Sequence, residues 1–172
     1  MSSPHKFSHV VLQTNRVTEL RDFYVTLLDA QVQFEVGPMC LLTYDDEHHR
    51  VALVNLQPYA ERSEDAAGMH HMAYTYDSLG TLLANYRRLK ERDVLPAMCL
   101  NHGPTVSLYY RDPDGNQVEL QVDVFDSAEE ANAFMRSPIY QNDPIGLPFD
   151  PDEMHGRLLD GVPAATLMAR VR

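Results

Sequence analysis

Between His102 and Glu119 the chain reads His-Gly-Pro-Thr-Val-Ser-Leu-Tyr-Tyr-Arg-Asp-Pro-Asp-Gly-Asn-Gln-Val-Glu, so an imidazole, phenols and a carboxylate fall within one short stretch. Thr105 to Tyr110 alternates as a strand, Asp112-Pro113-Asp114-Gly115-Asn116 is turn chemistry, and Gln117 to Val122 resumes the alternation. Such a pattern predicts a hairpin. On its return strand Val118, Leu120 and Val122 share one face, while Glu119 stands between Gln117 and Gln121 on the other. A carboxylate in that position either points to water or coordinates something. Two further groups bear on the choice. His9, in the strand-like run Phe7 to Gln13, and His71, in the run Met69 to Thr75, each sit third in their runs. Two imidazoles and one carboxylate, with coordination positions left open, form the facial triad suited to non-haem Fe(II) that must also bind substrate and O2.

The elements that must position these groups repeat. Asn15 to Ala30 has Val17, Leu20, Phe23, Tyr24, Leu27 and Leu28 at helical spacing, with Thr18 or Asn15 as cap, and strands follow at about 31–36, 39–44 and 50–57. Pro58 to Gly68 is polar and aperiodic, a linker. A second strand then leads into a helix over 79–92, with Leu82, Leu83, Tyr86 and Leu89 inward, and into strands at about 94–100, 105–111 and 117–122. A shift of 62 residues lays His9 on His71, Leu20 on Leu82, Tyr24 on Tyr86 and Leu27 on Leu89. The duplicated unit is βαβββ. One such unit leaves a sheet face bare, whereas two placed edge to edge enclose a hollow. The expected fold is therefore α+β: two βαβββ modules, residues 1–58 and 69–125, forming a cupped mixed sheet with helices outside, joined by a linker at 59–68.

Residues 126–172 form a C-terminal extension. A capped helix is expected at Asp126 to Met135 and a final helix at Asp152 to Asp160. Between them, Asp143 to Pro151 should lie extended across the protein, because Ile145, Leu147 and Phe149 are costly to expose. Whether the extension is a lid or an oligomer contact stays open from the residues alone.

Composition narrows the function classes. With 44% hydrophobic residues the chain can build a real core, and a net charge of −11 repels a nucleic-acid backbone or an anionic membrane. No secretory leader and no long apolar run is present, so a cytoplasmic protein without a membrane span is expected. Cys40 and Cys99 fall in strand-like runs and are expected as buried free thiols. His48 and His49 in a turn, His5 in the leader and His155 in the tail are expected at the surface.

The His102 to Glu119 stretch resembles the signature of the extradiol ring-cleavage dioxygenases of the vicinal-oxygen-chelate superfamily: a His, a spacer, an apolar residue and Tyr, two residues, Asp-Pro-x-Gly, and a Glu. Here these are His102, Leu108, Tyr109, Asp112-Pro113-Asp114-Gly115 and Glu119; Leu100, two before the His, is atypical. The resemblance implies His9, His71 and Glu119 as metal ligands, Fe(II) as the metal, O2 as cosubstrate and a small aromatic diol as substrate. It also implies that His102 hydrogen-bonds substrate or oxygen and that Tyr109 steadies a deprotonated catechol oxygen. Without the signature, His102 and Tyr109 read equally as a turn residue and a core phenol. Larger members of the family place an acid–base His shortly upstream of the second ligand; here Val54-Asn-Leu-Gln-Pro58 stands there, which leaves proton transfer to His102 or His70. Glyoxalase-like members take a fourth ligand from the last strand of the first module, where alignment by the repeat puts Asn55 or Gln57. Two alternatives follow: a lyase or isomerase using Mn(II), Zn(II) or Ni(II), and a non-enzymatic resistance module that sequesters a small molecule. A homo-oligomer is the expected assembly, on the strength of the modules' edge strands and the extension.

Overall fold

The computed structural model describes residues 2–61, 63, 65 and 67–170. Of the expected linker, Arg62, Glu64 and Ala66 lie outside the described residues. The chain forms two compact units, one of residues 1–68 with Asp112–Asn116, the other of Met69–Arg111 with Gln117 to the C-terminus.

The first unit runs β1 (Val10–Gln13), α1 (Val17–Leu28), β2 (Gln31–Val36), β3 (Met39–Thr43) and β4 (Val51–Val54), with sheet order β1-β4-β3-β2. β1 and β4 are parallel and the other pairs antiparallel. Of the six residues at helical spacing, helix α1 buries Leu20, Tyr24, Leu27 and Leu28 and leaves Val17 and Phe23 half-buried at the margin of the face, each fully buried aliphatic side chain stabilising by about 1.5–3 kcal/mol. Its N-cap is Arg16, with no side-chain cap, rather than Thr18 or Asn15. Asn15 is occupied elsewhere: its amide donates to the Tyr59 carbonyl (2.8 Å) and accepts from the Tyr59 N–H (3.0 Å), which ties down the start of the linker. The helix stops because Asp29 turns into the left-handed region at φ 52°.

β4 ends at Val54 instead of reaching residue 57. Beyond it the Asn55 N–H bonds to the Pro38 carbonyl (2.8 Å), leaving Leu56 exposed.

The second unit repeats the order with β5 (His71–Tyr76), α2 (Leu79–Lys90), β6 (Met98–Asn101), β7 (Thr105–Arg111) and β8 (Gln117–Asp123). Ser78 caps α2 in a reciprocal capping box with Thr81. β6 begins at Met98, later than expected, and Leu95 before it is exposed. The extension supplies α3 (Ala128–Met135), α4 (Pro138–Asn142), β9 (Leu147–Pro148), α5 (Pro151–Leu159) and α6 (Ala164–Met168). Sheet order is β5-β8-β7-β6-β9, so β9 covers the edge of β6. Strands thus pair into two mixed sheets, one in each module. The extended run of the extension exists, but its apolar side chains are not all covered: Ile145 and Leu147 stay exposed, because β9 is held by main-chain pairing with β6. Cys40 is buried and Cys99 half-buried, both as free thiols whose pKa burial pushes up to about 11. Among the described residues no helix is long and apolar enough to cross a membrane.

Candidate metal centre

β8 carries Glu119 between its parallel neighbour β5 and its antiparallel neighbour β7. Register sets Ala73 and Tyr109 directly opposite Glu119, with His71 two residues back on β5 and so on the same face. The three side chains therefore meet. The His71 Nε2 lies 2.9 Å from Glu119 Oε2, and the Tyr109 hydroxyl donates to Glu119 Oε1 at 2.9 Å. Glu119 is only 5% exposed, so of the two options left by its sequence, pointing to water is excluded.

His102 joins through Tyr109, its Nε2 2.8 Å from the phenol oxygen. Since the single Tyr109 proton goes to Glu119, the His102 Nε2 must carry the proton and donate. On the far side His71 and His70 meet through their Nδ1 atoms at 2.7 Å. If His71 offers Nε2 to a metal, its Nδ1 holds the proton and His70 accepts it, the orienting bond that ligating histidines ordinarily make. Burial first, then the bond to Glu119, push the Tyr109 pKa well above the ordinary tyrosine value, so its phenol stays protonated and a donor.

Do these groups suit a metal? Two ligands bound at about 2.0–2.2 Å and subtending a right angle lie about 3 Å apart. The 2.9 Å between His71 Nε2 and Glu119 Oε2 matches that edge. Among the described residues no group of three or more His, Cys, Asp or Glu is gathered to hold a metal. His71 and Glu119 are brought together; His9 belongs to the first unit, exposed immediately before β1. Its ring packs on His49 with centroids 4.3 Å apart. His49 is consequently half-buried rather than at the surface, and burial, followed by its neighbours His9 and His48, lowers its pKa. His155 is half-buried as well, on α5. The burial of neither has a sequence signal, because a turn His and a tail His look alike whether or not they are covered.

The first module's counterpart of Glu119 can also be placed. Val11, which the repeat lays on Ala73, pairs with Ala52, just as Ala73 pairs with Glu119. Ala52, not Asn55 or Gln57, therefore occupies the fourth-ligand place, and a methyl group cannot ligate. The earlier placement failed because the offset between last strands exceeds that between first strands.

The model of the glyoxalase/bleomycin resistance protein/dioxygenase superfamily matches residues 6–120, spanning both modules. The chain belongs to this superfamily. Within it, the chain is 49% identical over 164 residues to "Biphenyl-2,3-diol 1,2-dioxygenase 2" of Rhodococcus globerulus, covering 95% of this chain and 86% of that protein. It is 40% identical over 172 residues to "Biphenyl-2,3-diol 1,2-dioxygenase 3" of the same organism, covering 99% and 90%. Solved structures share the fold at low identity. A lactoylglutathione lyase from Agrobacterium tumefaciens aligns with TM-score 0.56 at 17% identity, over 69% of this chain and 94% of that one. A glyoxylase/bleomycin resistance protein/dioxygenase domain from Frankia sp. EAN1pec aligns with TM-score 0.58 at 16% identity, over 70% and 93%. These structures show the fold alone; the family model places the chain in the superfamily, and the relatives of higher identity narrow the comparison to its dioxygenases.

Proposed function

We propose that the chain is an extradiol dioxygenase that opens the ring of a small aromatic diol with O2, breaking the bond between a hydroxyl-bearing carbon and its neighbour outside the diol, the one that carries no hydroxyl. The observation that carries this reading is the connected chain His102–Tyr109–Glu119–His71, built from the residues of the signature stretch and its expected partner ligand. His71 and Glu119 would hold the metal, with His9, the repeat-equivalent of His71, as third ligand. When bound, Fe(II) supplies Lewis acidity toward the diol oxygens and electron exchange with O2.

This chain's own side chains account for the remaining roles. Tyr109 fixes the Glu119 carboxylate through a proton that its raised pKa keeps in place. His102, its Nε2–H directed at the phenol oxygen, is the group able to turn that proton toward a negatively charged oxygen of the substrate. With no histidine at residues 54–58, His102 is the better proton carrier of the two candidates, because His70 is taken up by His71.

The first unit's sheet has an apolar face of its own. His9, Val11 and Gln13 alternate onto one face of the first sheet, and register adds Ala52, Leu41, Phe34 and Val36 to it. Val11, Phe34 and Val36 on it are 50%, 50% and 55% exposed. Ala52 at the fourth-ligand place speaks against the four-ligand lyase or isomerase reading. Protein loaded anaerobically with Fe(II) is expected to consume O2 with 2,3-dihydroxybiphenyl and give a yellow ring-opened product. No uptake across a panel of catechols would reject the proposal.

A further inference from the structure

The turn that carries His102 is held from behind, residue by residue, by the C-terminal extension. Arg170 has a side chain only 1% exposed, and its guanidinium spans two segments. One nitrogen donates to the His102 carbonyl (2.9 Å); the other donates to the Asp143 carbonyl and to its Oδ2, both at 2.6 Å. The planar fork of an arginine can bridge two fixed oxygens in this way, which a lysine ammonium cannot. The residues flanking His102 are held as well. Asn101 donates its side-chain amide to the Met168 carbonyl (2.9 Å) and accepts from the Gly103 N–H (2.9 Å). Its main chain pairs with Leu147 of β9. Gly103 sits against the Phe134 ring so closely that a Cβ would overlap it. Gly146, at φ 102°, lets the strap pass so near that a Cβ there would lie 2.8 Å from the His102 Cα. The imidazole of His102, by contrast, projects to Tyr109.

We infer that the extension from Ser137 to Arg170 is a strap that sets the position of the His102 imidazole, with Arg170 as its positioning residue. A buried guanidinium is an expensive way to hold a surface tail, and a hydrophobic anchor would do that as well. What the fork adds is a fixed distance between Asp143 and the main chain at His102. Sub-ångström placement of a proton donor matters to chemistry far more than to folding. The inference rests on the ring-opening reading for its catalytic half and on geometry alone for its structural half.

The test compares Arg170→Gln, Arg170→Lys, His102→Gln and the double variant Arg170→Gln/His102→Gln in the full-length, Fe(II)-loaded protein. Amide hydrogen exchange is read on peptides covering residues 100–106, and kcat and KM are read with 2,3-dihydroxybiphenyl. Arg170→Gln is expected to speed exchange in that turn and not in β8, and to lower kcat by about 10–100-fold, the loss usual for partners that orient active groups, with KM little changed. In the His102→Gln background the same substitution should cost nothing further, since residues acting through one group are not additive. Should Arg170→Gln fail to fold, Arg170→Lys keeps the buried charge and one of the bonds, and is expected to give an intermediate kcat. Asp152→Asn, which loosens α5 from Lys90 and Arg87 without touching the turn, should leave exchange at 100–106 unchanged. An additive loss in the double variant, or unaltered exchange at the turn, overturns the inference. Absence of turnover in the unsubstituted protein sinks the ring-opening reading and the catalytic half with it, whereas the exchange result still decides the strap.

Discussion

Replacing Tyr109 with Phe removes one oxygen from the centre of the hydrogen-bonded chain and little else, because the ring is buried in β7 and Phe fills the same space. Two bonds go with it. Glu119 Oε1 loses its 2.9 Å donor inside a site where the residue is 5% exposed, and His102 Nε2 loses its 2.8 Å acceptor. A hydrogen bond to a charged group is worth about 1.5–3 kcal/mol. Metal-free protein carrying Tyr109→Phe should therefore unfold in urea with stability lower by about that amount, from the Glu119 bond alone. At roughly 1.4 kcal/mol per factor of ten, the same loss corresponds to about 10–150-fold in an equilibrium that needs the carboxylate in place. That overlaps the 10–100-fold expected in metal affinity or activity when a partner of a metal ligand is removed. Both measurements are direct: urea unfolding without metal, and anaerobic metal titration with oxygen uptake on 2,3-dihydroxybiphenyl. Unchanged stability together with unchanged turnover would show that the phenol does not restrain Glu119, and the proposed centre would lose its organising contact.

Further outcomes follow from neighbouring groups. Glu119→Gln should abolish metal binding and turnover together while circular dichroism stays unchanged; metal retained at wild-type affinity would shift the ligand role to another carboxylate. Asp112 is buried beneath the hairpin turn, accepting from the Asp114 and Asn116 N–H groups, the Asn116 amide and the Tyr24 hydroxyl, and burial raises its pKa against the pull of those donors. A carboxyl with a folded pKa above its unfolded value contributes stability that is fully present below the ordinary carboxylate range and is lost as pH rises through the raised value. Relative to Asp112→Asn, the wild type should gain stability in urea unfolding as pH falls from 7 toward 4. A difference moving the opposite way would mean that the donors, not burial, dominate.

Much of the architecture was legible because it is written in local periods. Leu20, Tyr24, Leu27 and Leu28 at helical spacing, the alternation either side of Asp112 to Asn116, and the recurrence of the pattern after the linker each depend on a few neighbouring residues. The types of residue in the centre were legible for the same reason. Their meeting was not: it comes from His71 lying on the strand beside Glu119 and Tyr109 on the other side, which is a matter of register between strands. Register also moved the fourth-ligand place from Asn55 or Gln57 to Ala52, since an offset measured on the first strands does not hold for the last.

By itself, then, the sequence determined two duplicated modules, a carboxylate on the polar face of a hairpin strand, and histidines at matching points of the repeat. Tertiary structure alone decided that the carboxylate is buried and shared between His71 and Tyr109, that His49 leans on His9, and that Arg170 reaches back 68 residues to the His102 carbonyl. The division has one physical cause. Side-chain periodicity is a property of adjacent residues, whereas a buried hydrogen bond between distant segments exists only once the chain between them has closed, and leaves no pattern in the stretch that it spans.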